Sequence, residues 1–422
     1  LETFVVYIIP IFYLLAGLWL MLGRPGRVSA NFSPAFIVGF VVLKVATGIL
    51  YTWVMLNFIP SHAADINLFF GDGLEMYRSF WQDPTGFSGY LKEQFHISDF
   101  QLTRTDSDFI RTVFEGIKFI QFLLNFLSGG ELFTNVLLFN ILAAFLFLRC
   151  WGWMLEKRQN IWHGIWLFLL PSSFFFTSVI SKEGIEWCLI AAILPALDRF
   201  LTTRRIWQLP GLIALFGLLF FFKYLIAITF CGTLVLYQLF SKYPTRKFTI
   251  AMLVVALSML LFFNAKYLHP SLDFPAAIIE RRLEFADLEA NSALSMRTLT
   301  PDAVSFLKAL PEAIRNVLFR PLPGEENKAF YLVFSLELFF FWTVVGWMVF
   351  RIFKYKSFHP SSFGVAVLLF SLANLLIIGY TITNTGAIIR YRSLFMPGVI
   401  LWLWPYGFKY LDQGISSLIL RK

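Results

Sequence analysis

Charge is what this chain has least of. Only 14% of its 422 residues are Asp, Glu, Lys or Arg, against the roughly one quarter of a soluble domain. Hydrophobic residues make up 58%, and the mean hydropathy is +0.69. The length alone would allow two or three soluble domains; this composition excludes them. Cysteine is also scarce. Cys150, Cys188 and Cys231 sit in apolar runs without metal-ligand spacing, which predicts packing residues instead of disulfides. The five histidines, His62, His96, His163, His269 and His359, form no HxxxH or carboxylate–histidine pattern, so no built-in metal site is expected. Internal repeats and low-complexity tracts are missing too.

What fills the space is apolar and aromatic: Phe alone contributes 51 residues and Trp 13. This is the composition of an all-α polytopic membrane protein. A bilayer core takes about 20 apolar residues per helix, and that ruler gives about eleven spans. They fall near 4–22, 36–59, 132–152, 161–178, 184–201, 209–222, 224–240, 248–264, 330–350, 362–380 and 394–411. The run from Leu209 to Phe240 is divided into two short helices at Lys223 and Tyr224. The first run has no signal-peptide charge region or small-residue cleavage site and reads as a retained helix.

Basic residues decide the orientation. Arg24 and Arg27, Lys157 and Arg158, and Arg199, Arg204 and Arg205 follow alternate spans. Lys242, Arg246 and Lys247, then Arg351, Lys354 and Lys356, then Lys409, Arg421 and Lys422 continue the series. The positive-inside rule places all six clusters in the cytoplasm. The net charge of +9 is explained by these loops and gives no reason to expect nucleic acid. The chain reads as one integral membrane domain over 1–422, with long outer loops at 60–131 and 265–329. Each loop carries an apolar stripe at helical spacing: Ile110, Val113, Ile117, Ile120 and Leu124 in the first, and Leu307, Leu310, Ile314, Val317 and Leu318 in the second. Opposite the first stripe lie Asp108, Arg111, Glu115 and Lys118. Such helices suit the headgroup region.

Three outer stretches carry chemistry. In Asp65-Ile66-Asn67-Leu68-Phe69-Phe70-Gly71-Asp72-Gly73-Leu74-Glu75-Met76-Tyr77-Arg78, the flanking glycines predict a turn at Asp72. Glu75 and Tyr77 follow at the spacing of a helix start. Asp72 serves either as a general base on an acceptor or as the cap of the following helix. In Ser181-Lys182-Glu183-Gly184, two charges stand at a membrane boundary, where charge is costly. Lys182 is a phosphate contact or a snorkelling lysine ion-paired locally. In Arg390-Tyr391-Arg392, two arginines open the last span on the side that topology disfavours. They bind phosphate oxygens or anchor the interface. Arg281, Arg282, Arg320 and Lys223 add further outer cations. Together an outer acid and several outer cations imply an anionic ligand, a lipid phosphate.

This order and sidedness resemble the GT-C superfamily of polyprenyl-phosphate-dependent membrane glycosyltransferases. Gly71-Asp72-Gly73 with Tyr77 looks like the family's acidic first loop, and the stretch from Arg390-Tyr391-Arg392 to Pro397 looks like its late Arg-Tyr segment. The likeness covers about residues 36–411. Two departures stand out: the family's adjacent acidic pair is absent, leaving Glu75 or Asp65 as the second carboxylate, and no Trp-Trp-Asp motif occurs. The resemblance implies a bacterial inner-membrane enzyme acting at the outer face. It would move a sugar from a polyprenyl-phosphate donor to a glycan, lipid or protein acceptor. Asp72 would be the base, with Glu75 beside it. Tyr77, Lys182, Glu183, Lys223, Arg320, Arg390, Tyr391 and Arg392 would bind substrate. No cofactor is built in, and a divalent-ion requirement and membrane-protein partners stay open. The alternatives are an O-antigen or exopolysaccharide polymerase or ligase, a lipid-linked sugar transporter, and a non-catalytic membrane scaffold.

Overall fold

The computed structural model describes residues 2–23, 28, 31–58, 65–94, 106–157, 159–287, 292–325, 329–355, 360–403 and 419–420. Arg24, Arg27, Arg158, Lys356, Lys409, Arg421, Lys422, His62, His96 and His359 lie outside them. Among the described residues the chain is all helical, with 18 α-helices and short 3-10 turns. Six helical segments are long and apolar enough to cross a membrane: Pro34–Phe58, Leu132–Glu156, Tyr224–Lys242, Pro244–Tyr267, Phe330–Tyr355 and Ser362–Thr381. The chain is therefore a polytopic helical protein of the membrane class. It divides into two compact units.

The first unit comprises Leu1–Ile161, Phe174–Tyr224 and Leu411–Lys422. It holds α1 (Glu2–Leu22), α2 (Pro34–Phe58), α3 (Asp65–Gln82), α4 (Phe87–Gln94), α5 (Asp106–Ser128), α6 (Leu132–Glu156), α9 (Lys182–Thr203) and α10 (Leu209–Phe222). Helices α3 and α5 pack against each other, α2 and α9 each pack on α6, and α10 packs on α9. The pairing of α3 with α5 explains a departure from the expected turn. Gly71-Asp72-Gly73 lies in the middle of the 18-residue α3, so Asp72 caps nothing and Glu75 and Tyr77 are mid-helix. Gly73 serves closeness instead: a Cβ there would stand 2.6 Å from the Gln121 Cβ and 2.8 Å from the Lys118 carbonyl oxygen of α5. At Gly71 nothing lies within 4 Å.

Helix α5 also differs from a stripe lying flat at the headgroups. Val113 and Ile117 are buried as expected, but so are Glu115, Gln121 and Asn125 from its polar positions. Leu123, Phe126 and Leu127 are exposed. Amide pairing is the reason. The Asn135 amide of α6 donates to Gln121 Oε1 at 3.0 Å and to Asn125 Oδ1 at 2.7 Å, which turns this polar edge inward. Cys150 and Cys188 are buried packing residues, whereas Cys231 is exposed.

The second unit comprises Trp162–Ser173 and Leu225–Tyr410. The expected span at 161–178 is two short helices, α7 (Ile161–Leu169) and α8 (Pro171–Phe176), broken ahead of Pro171, whose ring cannot continue the preceding turn. The division between units runs within α8. Then follow α11 (Tyr224–Lys242), α12 (Lys247–Asn264), α13 (Phe274–Asp287), α14 (Ala303–Phe319), α15 (Ala329–Tyr355), α16 (Ser362–Thr381), α17 (Thr385–Arg392) and α18 (Met396–Leu401). The helix break expected at Lys223 is present, since α10 ends at Phe222 and α11 starts at Tyr224. The last expected span is different. It begins as the short α18, and residues 404–418 lie outside the described ones.

Local chemistry sets the starts of these helices. Asp302 accepts from the Ser305 N–H at 2.9 Å, Ser361 from Gly364 at 2.9 Å and Asn384 from Ala387 at 2.8 Å. Each satisfies a donor that the first helical turn leaves unpaired. The buried face of α14 is Phe306, Ala309, Ala313, Asn316 and Val317, while Leu307 is exposed. Small residues win because α16 closes in at Gly379, where a Cβ would meet the Ala313 carbonyl oxygen at 2.5 Å.

Candidate functional site

In the first unit the α3–α5 pair brings three charges together. Asp72 Oδ2 lies 2.8 Å from Lys118 Nζ, and the same ammonium lies 2.7 Å from Glu115 Oε1. The Asp72 side chain is 37% exposed, while those of Lys118 and Glu115 are 17% and 8% exposed. Partial burial pulls the Lys118 ammonium down, but its bonds to Asp72 and Glu115 outweigh that and hold it above its ordinary value. Asp72 is thus oriented through one oxygen and still reachable. Lys182, the first residue of α9, sits 3.8 Å from the centroid of the Phe114 ring. Phe114 stands one turn before Lys118 on α5 and packs on Phe69, one turn before Asp72 on α3, at 5.4 Å. The ring pair thus links Lys182 to the Asp72–Lys118 bridge.

The other predicted residues of this unit separate. Glu75 is exposed. Tyr77, about 140° around α3 from Asp72 by helical geometry, packs on Phe126 at 5.2 Å and Trp81 at 6.3 Å. Glu183 is buried within the first turn of α9, beneath the Ser181 cap that accepts from the Gly184 N–H at 3.2 Å. Lys223 reaches Glu186 on α9 at 3.6 Å.

Sequence reasoning missed three charged members of this unit. Lys118 and Glu115 looked like a solvated helix face, although their spacing of three already permitted a pair. Lys44 is fully buried in α2, donating to the Phe174 carbonyl at 3.2 Å and to Thr177 Oγ1 at 2.7 Å. The rings of Phe147 and Phe174 lie 4.9 and 4.6 Å away. A lone charge inside an apolar run was the available signal.

In the second unit the predicted arginines Arg320, Arg390 and Arg392 have protein partners. Arg392 is buried, and its guanidinium donates to the carbonyls of Val317, at 3.2 Å, and Arg320. Burial lowers it to about 10, with Glu337 opposing the drop. Glu337 in turn accepts from the Ser172 N–H at 2.9 Å and its hydroxyl at 2.6 Å, and a small pocket is lined by Ser172, Glu337, Phe341, Arg392 and Met396. Arg320 pairs with Glu325 at 2.8 Å. Arg390 lies over the Tyr391 ring at 5.1 Å, and Tyr391 meets Phe285 of α13 at 6.3 Å. Backbone bonds from Leu294 to Thr383 at 2.7 Å and from Thr385 to Ser292 at 3.1 Å tie the segment before α14 to the start of α17.

Among the described residues no group of three or more His, Cys, Asp or Glu side chains is placed to hold a metal ion. No family model, curated protein or solved structure matches the chain. The class its structure defines is a helical membrane protein with a charged corner in each unit.

Proposed function

We propose that the chain is a membrane glycosyltransferase of the GT-C type, crossing the bilayer about eleven times and working at the outer face of a bacterial inner membrane. The reaction moves a sugar from a polyprenyl-phosphate donor to a hydroxyl- or amine-bearing acceptor. One observation carries the reading: a partly exposed carboxylate, Asp72, is held through one oxygen by Lys118, and a second lysine, Lys182, borders the same corner. In this reading Asp72 takes the acceptor proton as the acceptor atom attacks the anomeric carbon. The carbon–oxygen bond to phosphate breaks on the opposite side, giving inversion. Lys182 neutralises the charge that grows on the leaving phosphate. Lys118 acts by positioning Asp72. Glu75 and Tyr77 have no part in this step, and Arg392 serves as an internal tie. Arg320, Arg390 and Tyr391 are headgroup-level groups of the second unit.

The test is reconstitution into sealed vesicles with a radiolabelled polyprenyl-phosphate sugar and a mixture of envelope acceptors. The expected result is free polyprenyl phosphate together with label in a new glycosidic bond. Label crossing the vesicle membrane with its phosphate bond intact would instead make the chain a transporter and overturn the proposal.

A further inference from the structure

Between α8 and α9 the chain runs through residues 177–181 outside any helix. Thr177, Ser178, Val179 and Ile180 are nonetheless buried. Buried backbone that leaves a helix must find its hydrogen bonds elsewhere, and two side chains of neighbouring helices supply some of them. Lys44 of α2 donates to the Phe174 carbonyl at 3.2 Å and to Thr177 Oγ1 at 2.7 Å. Asn140 of α6 donates to the Ser178 carbonyl at 2.8 Å and keeps a bond to the Val136 carbonyl of its own helix, also at 2.8 Å. The fit is close on both sides. A Cβ at Gly48 of α2 would stand 2.6 Å from the Ser178 carbonyl oxygen, and one at Gly184 of α9 would stand 2.4 Å from that of Val179. Within this strap the Ser181 N–H donates to the Val179 carbonyl at 2.9 Å, and the next residue is Lys182. An ammonium is a costly group to bury here. Lys44 is 0% exposed, its partners are a carbonyl, a hydroxyl and the faces of Phe147 and Phe174, and no carboxylate pairs with it among the described residues. What a charged donor adds over a neutral one is a stronger bond and a stiffer strap.

We propose that Lys44 and Asn140 are positioning residues: by fixing the strap 177–181 they set where Lys182 stands beside the leaving phosphate. The role rests on the proposed sugar transfer, in which Lys182 meets that phosphate, and neither positioning residue touches the reacting atoms. Lys182 is joined directly to the strap, so a shift of the strap carries to its backbone. A misplacement of about 1 Å in a group that acts on the transition state lowers the rate on the order of 10²-fold.

Hydrogen exchange of the full chain in detergent tests the first half without any turnover. The amides of Ser181, Gly184 and Ile185 bond within the strap and the first turn of α9. They exchange about tenfold faster in Lys44→Met and about threefold faster in Asn140→Leu, the net worth of a charged and a neutral hydrogen bond. The amides of α3 and α5 stay as in wild type. Unchanged exchange at the three amides, or an equal rise throughout α3 and α5, overturns the proposal. Sugar transfer in proteoliposomes tests the second half. Lys44→Met lowers kcat by about 10², yet lowers it no further in a Lys182→Met background, because its effect passes through that ammonium. A further loss of the same size in that background would mark a merely structural role and overturn the proposal. Wild type that transfers no sugar would count against the transferase reading, and exchange would still decide whether Lys44 and Asn140 fix the strap. Thr177→Val, which removes one acceptor of Lys44 and keeps the side-chain shape, gives the same pattern more weakly and serves where Lys44→Met fails to fold.

Discussion

Lys44, Lys118 and Lys223 in the first unit meet their partners through single ammonium groups. Arg282, Arg320 and Arg392 in the second do so through guanidinium groups, each by a single nitrogen. Lys118 bridges two carboxylates from α3 and α5, and Lys223 pairs with Glu186 of α9 at 3.6 Å. Arg392 instead grips two backbone carbonyls near the end of α14, and Arg282 grips the Arg297 carbonyl. A fork with several fixed donors locks a loop and is hard to exchange for a ligand. A lysine is a rotatable point charge that changes partner at small cost. On the proposed function the difference assigns the reactive corner to the lysine-and-carboxylate unit, while the arginine unit holds its own loops in place.

Arg392→Ala breaks this contrast most severely. It orphans two carbonyls and leaves the buried Glu337 without its nearby cation, at a cost of about 3–5 kcal/mol. Thermal unfolding in detergent reads this, and Arg392→Lys recovers only as much as its shorter, rotatable side chain can bring an ammonium to the place of Nη1, the nitrogen that serves both carbonyls. A drop as small as that of an exposed arginine would remove the structural role. Next comes Gly73→Val, expected to cost about 3 kcal/mol by forcing α3 away from α5. Its neighbour Gly71→Ala is expected to gain up to about 1 kcal/mol, as an unhindered helical glycine does. Equal effects at the two glycines would contradict the placement of Asp72 within a helix.

Lys118→Met is smaller, about 2 kcal/mol, because it strands the buried Glu115 carboxylate. Double substitution with Glu115→Gln should recover part of the loss. The pH dependence follows from the raised Lys118 value. Its contribution is fully present below the ordinary 10.5 and fades as pH rises through the higher folded value. Wild type therefore loses stability on that alkaline limb, and Lys118→Met lacks the component. The weakest effect belongs to the cap of α14. Bonds from Thr300 and the Ser305 N–H hold Asp302 below its ordinary 3.8. Its contribution is present above that value and lost as pH falls through the lower folded one. Asp302→Ala should remove a small acid-sensitive part of the melting temperature, and an unchanged acid limb would show that the cap is silent.

Much of this architecture was legible in the chain. Apolar runs located α2, α6, α10, α12 and α16 closely, because a bilayer-scale run has few alternatives to a helix. The break at Lys223 was legible for the same reason, since the surrounding run is too long for one crossing. Periodicity failed on α14, where Gly379 of another helix selected Ala309 and Ala313 over Leu307. It failed on α5, where an amide from α6 drew Gln121 and Asn125 inward. At Asp72 the glycines were read for backbone freedom, whereas Gly73 serves close approach and Gly71 meets nothing. For the candidate site, residue type and spacing picked out Asp72 and Lys182, whereas Lys118 and Glu186 emerged only with their tertiary neighbours. Pairing across helices leaves no periodic trace in a single sequence.

The central claim, that Asp72 is the reactive carboxylate of the lysine-bearing unit, is tested most directly by sugar-transfer rates of Asp72→Asn in proteoliposomes. The substitution keeps the shape of the side chain and removes its capacity to take a proton. The account predicts a rate lower by about 10² to 10⁴, the range for loss of a general base, with donor binding retained. Transfer at the wild-type rate would contradict it.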